Sequence, residues 1–204
     1  MQVEISTHCT ASCLYCPRTI YSSPWQSHHM PLELFRGLKP TPKKNDLVFL
    51  HGKGDPFTHP DFFEFARFAQ SLGCQVGTTT NGMPLKEESR RRLIEARLDI
   101  LTLSLTDIYQ IIDQIRRSTS LKQVLNALGM LRRMAKETGQ KLPAIHIAYL
   151  LLRSQMDNLQ KLPPFFAELG IVQVVISTLD FVAAPELANK PLCTTNYDRI
   201  RNTL

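Results

Sequence analysis

Short apolar runs alternate along this chain with longer stretches in which apolar residues recur at helical spacing. The short runs are rich in leucine and β-branched residues and are almost continuously apolar, which is typical of parallel strands buried on both faces. Six runs are predicted as strands: Gln2–Ser6, Asp46–Leu50, Gln75–Thr79, Asp99–Ser104, Ala144–Leu151 and Val172–Ser177.

The longer stretches between the predicted strands are amphipathic and indicate helices. Prolines stand close to their starts and glycines directly after their ends, as at Pro31 and Gly139. Five stretches are predicted as helices: Leu32–Leu38, Asp61–Leu72, Lys86–Ala96, Leu121–Thr138 and Asn158–Leu169.

Regular alternation of strand and helix predicts an α/β fold of parallel βαβ units. About six units are too few for a complete eight-stranded barrel, which typically takes about 250 residues. An open partial (β/α)6 barrel of the TIM type and a doubly wound sheet both remain, and each places functional residues at the carboxyl ends of the strands. Residues 1–180 are predicted to form this core. Residues 181–204 are predicted as a C-terminal loop and helix, with the start of a truncated extension as the alternative to a natural terminus.

Composition narrows the class of protein. Hydrophobic residues make up 43% of the chain and charged residues 21%, as in an ordinary soluble globular protein. The N-terminus has no basic segment followed by an apolar run, and no apolar stretch reaches the about 18 residues that a membrane span needs. Five cysteines, three of them clustered, suit a reducing compartment. We therefore expect a cytoplasmic protein without a membrane partner.

The net charge of +6 raises the possibility of a nucleic-acid partner. The basic residues, however, fall in doublets and triplets within stretches expected to be helical: Arg90–Arg92, Arg116–Arg117 and Arg132–Arg133. No aromatic residues interleave with them, so we interpret them as solvated helix faces and do not favour nucleic-acid binding.

Three cysteines follow the first predicted strand, in the pattern Cys9-x3-Cys13-x2-Cys16. Thiolates are soft ligands suited to zinc or iron–sulfur clusters, and a short loop lets their sulfurs face one point. A structural metal site normally has four protein ligands, so three leave a coordination position open for chemistry. A zinc site completed by His8 and a disulfide with one spare thiol are the alternatives.

The cysteine pattern resembles the signature of the radical S-adenosylmethionine (SAM) superfamily, Cys-x3-Cys-x-aromatic-Cys, with Tyr15 as the aromatic residue. The resemblance implies a partial barrel of six units. It also implies a [4Fe–4S] cluster held by Cys9, Cys13 and Cys16, a fourth iron chelated by SAM, and Tyr15 near the adenine.

A second segment, Gly52-Lys-Gly-Asp-Pro56 followed by His59-Pro60, resembles the Gly-Gly-Glu-Pro motif of that family, which binds the amino group of SAM. The resemblance assigns this role to Lys53, Gly54, Asp55 and Pro56. Lys53 stands at the motif's first glycine and Asp55 replaces its glutamate. Backbone contacts are expected to persist, whereas the shorter carboxylate leaves the side-chain contact open. Taken alone, the segment also suits a strand-to-helix turn.

Three further residues follow later predicted strands. Asn81, in Thr-Asn-Gly after the third strand, and Ser104, at the end of the fourth, match segments of the same family that contact the cofactor. Arg153 follows the fifth strand and is a candidate partner for the SAM carboxylate, because a guanidinium pairs with a carboxylate through two hydrogen bonds. For Asn81 the alternative is a plain turn, and for Arg153 a surface position.

The resemblance implies an enzyme that reductively cleaves SAM to a 5′-deoxyadenosyl radical, which abstracts hydrogen from a peptide or protein side chain or from a small-molecule cofactor precursor. A flavodoxin or ferredoxin is the expected reductant. Relatives of the SPASM and Twitch type bind auxiliary clusters, and Cys193 is a single candidate ligand for one. An RNA-modifying radical SAM enzyme and a non-catalytic zinc or iron–sulfur protein are the alternatives.

Overall fold

Eight strands are present in the computed structural model, which describes residues 1–38, 46–109 and 115–179 together with Leu187 and Ile200. They are β1 (Gln2–Val3), β2 (Ser12–Cys13), β3 (Leu47–Leu50), β4 (Gln75–Thr80), β5 (Ile100–Leu105), β6 (Arg116–Arg117), β7 (Ala144–Leu151) and β8 (Gln173–Thr178). The rest of the predicted C-terminal segment, including Cys193, lies outside the described residues.

Six of these strands form one parallel sheet in the order β1-β3-β4-β5-β7-β8. Along the chain, each successive strand of this sheet pairs with the one before it, always on the same side. A doubly wound sheet instead reverses direction at a switch point, so the observed order is that of a barrel. The prediction of an α/β fold with a partial six-stranded barrel is confirmed.

Helices connect the strands of the sheet. They are α1 (Pro17–Ile20), α2 (Leu32–Gly37), α3 (Phe62–Ser71), α4 (Glu87–Glu95), α5 (Leu121–Thr138) and α6 (Leu162–Glu168). Helix α5 begins where the Ser120 hydroxyl accepts a hydrogen bond from the Gln123 N–H, and it ends at Gly139, whose φ is +64°. In the described part of the chain, no helix is both long and apolar enough to cross a membrane.

The last predicted helix, Asn158–Leu169, is shorter than expected. Residues Arg153–Lys161 form a 3-10 helix, and α6 begins only at Leu162. Two prolines, Pro163 and Pro164, explain the change. A proline inside an α-helix removes a hydrogen bond and clashes with the preceding turn, whereas the first turn tolerates it.

The prediction that the strands are buried on both faces is wrong for the later part of the sheet. In β7 the side chains alternate between buried, as at Ile147 and Tyr149, and half-buried, as at His146 and Ala148. The buried face joins the helices in the main hydrophobic core. The other face, which we call the inner face, remains partly open because six strands do not close a barrel.

Strands β2 and β6 were not predicted. They form a separate antiparallel pair in which Cys13 lies opposite Arg116 and Ser12 opposite Arg117. The interpretation of these arginines as a solvated helix face is wrong, because both lie in a strand and Arg116 is only 3% exposed. Arg90, which sequence also placed on a solvated face, is buried and donates to the carbonyl oxygen of Leu85.

Candidate functional site

A cavity of about 260 Å³ opens at the carboxyl ends of β3, β4 and β5. It collects most of the residues that the sequence singled out: Cys9, Cys13, Tyr15, Cys16, Lys53, Gly54, Asp55, Asn81 and Ser104. Pro56 is buried beside it, at the start of a short 3-10 helix. Arg153 is exposed on the 3-10 helix after β7, and the structure does not bring it to the cavity.

The cysteine loop is fixed to its surroundings by backbone hydrogen bonds. The Asp55 N–H donates to the carbonyl oxygen of His8 at 2.7 Å, and the Leu14 N–H donates to that of Ile115 at 2.9 Å. Cys16 then serves as the residue before α1, which begins at Pro17. These anchors hold the three cysteines against the strand ends although the loop itself has little regular structure.

The Cys9 sulfur is held in place by two hydrogen bonds. Its Sγ accepts hydrogen bonds from the Ala11 N–H and from the Asn81 side-chain amide, both at 3.4 Å. Burial raises the pKa of the Cys9 thiol, while the Ala11 N–H and the nearby Arg18 act in the opposite direction. Donors and cations around a buried thiol favour its thiolate form once a metal binds.

Two arginines give the cavity a cationic lining. Arg18 donates to the carbonyl oxygen of Ala11 and Arg116 to that of Ser104, and both residues line the cavity. The Nε atom of each is buried and has no hydrogen-bond partner among the described residues. Buried donors of this kind fit an anionic ligand, because they otherwise carry an uncompensated desolvation cost.

Tyr15 lies in the same lining. Burial raises the pKa of its phenol, the charge of Arg116 lowers it, and the adjacent Cys13 and Cys16 raise it further. The phenol is therefore protonated at neutral pH and presents a hydroxyl donor beside the cysteine sulfurs.

Asp55 uses its carboxylate inside the protein. One oxygen, Oδ2, accepts hydrogen bonds from the Thr80 hydroxyl at 2.7 Å and the Asn81 N–H at 2.9 Å. The other, Oδ1, accepts from the Phe57 N–H at 3.2 Å. Burial raises the pKa of this carboxyl, and the three donors oppose that effect. The Asp55 side chain, shorter than the glutamate of the family motif, thus connects the segment Gly52–Pro56 to the end of β4.

The absence of a side chain at Gly54 lets the backbone of the segment Gly52–Pro56 approach the cysteine loop closely. A Cβ added at Gly54 would lie 2.3 Å from the carbonyl oxygen of Ser6 and 2.4 Å from that of His8. Positive φ among described non-glycine residues occurs only at Arg97 and Ser118, so Lys53 replaces a motif glycine without strain.

We expect Gly54→Ala to destabilise the protein by about 2–3 kcal/mol, because its Cβ would collide with backbone atoms that cannot move aside. Gly129→Ala is the matched control, since a Cβ there meets nothing within 4 Å and the residue lies inside α5. This control should stabilise the protein by about 0.5–1 kcal/mol. Urea unfolding of the metal-free variants measures both, and equal stability of the two alanine variants would contradict the expected packing.

The zinc alternative required His8 beside the cysteines. The His8 ring instead stacks on His29, with 4.4 Å between ring centroids, and is not among the residues that line the cavity. Throughout the described ranges, no three His, Cys, Asp or Glu side chains are grouped so that they could hold a single metal ion.

Fold and site together define a partial-barrel protein whose cysteine loop borders a cationic cavity at the strand ends. The sequence model of the Radical SAM superfamily matches residues 3–158, more than half of the chain. The chain belongs to the radical SAM superfamily.

Among curated proteins, the chain is similar to the tungsten-containing aldehyde ferredoxin oxidoreductase cofactor-modifying protein of Pyrococcus furiosus. The two are 22% identical over 199 residues, which cover 93% of this chain and 53% of that protein. The chain therefore spans about half the length of this curated relative.

Solved structures share the fold. Native anSMEcpe with bound AdoMet superposes with a TM-score of 0.73 at 16% identity, covering 98% of this chain and 57% of that one. SuiB of Streptococcus suis bound to S-adenosylmethionine gives a TM-score of 0.71 at 14% identity, covering 98% of this chain and 45% of that one. Identities this low establish a common architecture alone.

Proposed function

We propose that this chain is the SAM-cleaving domain of a radical SAM enzyme, with a [4Fe–4S] cluster held by Cys9, Cys13 and Cys16. One observation carries the proposal: three cysteines and two arginines, Arg18 and Arg116, line the same cavity at the strand ends, and the buried Nε atom of each arginine has no partner among the described residues. Soft thiolates suit iron–sulfur clusters, and the arginines suit an anionic ligand.

When bound, such a cluster would supply one electron to the sulfonium of SAM, whose C5′–S bond would break to give methionine and a 5′-deoxyadenosyl radical. The protein's own groups bind and orient the cofactor. We assign the amino group of SAM to the backbone of Lys53 and Gly54, and the adenine to the neighbourhood of Tyr15. In this proposal Ser104 and Arg116 hold the carboxylate, and Arg116 replaces Arg153 as the candidate partner.

The proposed substrate is a peptide, a protein side chain or a cofactor precursor. Similar proteins support this range. The Pyrococcus furiosus relative is named for modifying a cofactor, SuiB has been solved with its precursor peptide SuiA, and anSMEcpe with the Cp18Cys peptide. Ala148, on the half-buried inner face of β7, lies opposite the cavity-lining Ser104 in the sheet. A flavodoxin or ferredoxin is the proposed electron donor.

The proposal is tested by anaerobic reconstitution with iron and sulfide, followed by reduction, addition of SAM and assay for 5′-deoxyadenosine. We expect about four irons and about four sulfides per chain, and product only in the presence of reductant. One zinc ion without sulfide would contradict the proposal and favour a non-catalytic metal protein. Candidate peptides and cofactor precursors are then compared by their stimulation of product formation.

A further inference from the structure

Asn81 follows β4 directly, and its side-chain amide contacts the cysteine loop. The Nδ2 group donates to Cys9 Sγ at 3.4 Å and to the Thr10 hydroxyl oxygen at 3.4 Å. Asn81 is only 7% exposed. Its amide therefore lies against a proposed cluster ligand in surroundings where a hydrogen bond is electrostatically strong.

The orientation of this amide is fixed by a second hydrogen bond. Its Oδ1 accepts from the Met83 N–H at 2.8 Å, so the amino group, and not the oxygen, faces the sulfur. The backbone at Asn81 is fixed as well, because its N–H donates to the buried Asp55 carboxylate at 2.9 Å. Together these contacts hold the amide toward Cys9 without help from a cofactor.

A hydrogen bond to a cluster-ligating sulfur withdraws negative charge from it. The reduced cluster carries one more negative charge than the oxidised cluster, so the donor stabilises the reduced form more and raises the reduction potential. Asn81 and the Ala11 N–H are two such donors on the same sulfur. Only the Asn81 donor belongs to a side chain, so it can be removed by substitution without changing the backbone of the cysteine loop.

We propose that Asn81 sets the reduction potential of the cluster by donating to Cys9 Sγ. This role differs from the cofactor contact that the Thr-Asn-Gly resemblance suggests, and it rests on the proposed function. Asn81 is in this view a positioning residue that acts through Cys9, with Asp55 holding it in place.

The test compares midpoint potentials of the reconstituted cluster, measured without SAM by EPR-monitored redox titration. Asn81→Ser keeps an oxygen near the Met83 N–H but is too short to reach Cys9. Thr10→Val is the matched control, because it removes the other acceptor of the same amide and leaves the donor to Cys9. At a fixed potential near the midpoint, we expect about a tenfold lower reduced-to-oxidised ratio for Asn81→Ser, or about 59 mV for this one-electron couple. Thr10→Val should match the wild type.

A second measurement needs no variant and covers the case in which Asn81→Ser fails to retain a cluster. In wild-type protein labelled with 15N-asparagine, pulsed EPR of the reduced cluster should detect coupling to one 15N nucleus. Absence of this coupling, an unchanged potential in Asn81→Ser, or an equal shift in Thr10→Val would each overturn the proposal. A wild-type protein that forms no cluster would instead overturn the proposed function on which it rests.

Discussion

Replacing Cys9, Cys13 or Cys16 singly with alanine is expected to reduce both cluster retention and formation of 5′-deoxyadenosine to background. In the proposed cluster each cysteine supplies one of three protein ligands, and no fourth cysteine of the described residues lines the cavity to replace it. The substitutions should leave the fold intact. The main chain of Cys16, for example, accepts the first hydrogen bonds of α1, and alanine keeps that carbonyl oxygen.

Cys74→Ala is the matched control for these variants. Cys74 is buried in the main core and directly precedes β4, at the end of the strand opposite the cavity. Its replacement should cost about 1 kcal/mol of stability through lost burial, yet iron, sulfide and product should equal those of the wild type. Cluster content of the four variants is measured by iron and sulfide analysis and by absorption spectra, and their activity by product assays. A cysteine variant that keeps cluster and activity would remove that residue from the ligand set.

The parts of the fold that follow from local pattern were predicted closely. The bounds of β7 and of α5 match the sequence prediction, because β7 is a long apolar run and α5 has a serine cap at its start and a glycine at its end. The strand order required the structure. Nothing in the spacing of apolar runs distinguishes a barrel from a doubly wound sheet, since both consist of the same βαβ units.

The sequence analysis identified cavity residues that directly follow predicted strands. It missed Arg116, which reaches the cavity through the pairing of β6 with β2. Arg116 reaches the cavity because its two-residue strand pairs with Cys13, more than a hundred positions earlier in the chain. So short a strand has no periodicity to detect. Arg153 was predicted at the site because it follows a strand. It does not line the cavity, because the chain forms an exposed 3-10 helix after β7 ends at Leu151.

The role of Asp55 also depends on distant partners. From the sequence, the only criterion was that the Asp55 side chain is shorter than the family's glutamate, and the side-chain contact stayed open. The structure shows a carboxylate fully engaged with Thr80, Asn81 and Phe57. Two of these partners lie on β4 and directly after it, about 25 positions away, and only the folded sheet brings them within hydrogen-bonding distance.

Replacing Arg116 with methionine is expected to weaken SAM binding by about 10- to 100-fold, the loss that accompanies removal of a charge-assisted hydrogen-bond pair. Arg116→Lys should recover only part of the affinity, because an ammonium group cannot form the two parallel bonds of a guanidinium. Arg117→Met is the matched control. Arg117 is the next residue of the same strand but is exposed, and it is not among the residues that line the cavity.

Arg116 also donates to the carbonyl oxygen of Ser104, so a loss of affinity alone would not separate carboxylate binding from support of β5. A ligand without the carboxylate makes the distinction. Dissociation constants of SAM and of decarboxylated SAM are measured by calorimetry on the reconstituted, unreduced proteins. If Arg116 binds the carboxylate, the dissociation constant of SAM divided by that of decarboxylated SAM rises by about tenfold or more in Arg116→Met and is unchanged in Arg117→Met. If Arg116→Met weakens both ligands by the same factor, the arginine shapes the cavity and another group binds the carboxylate.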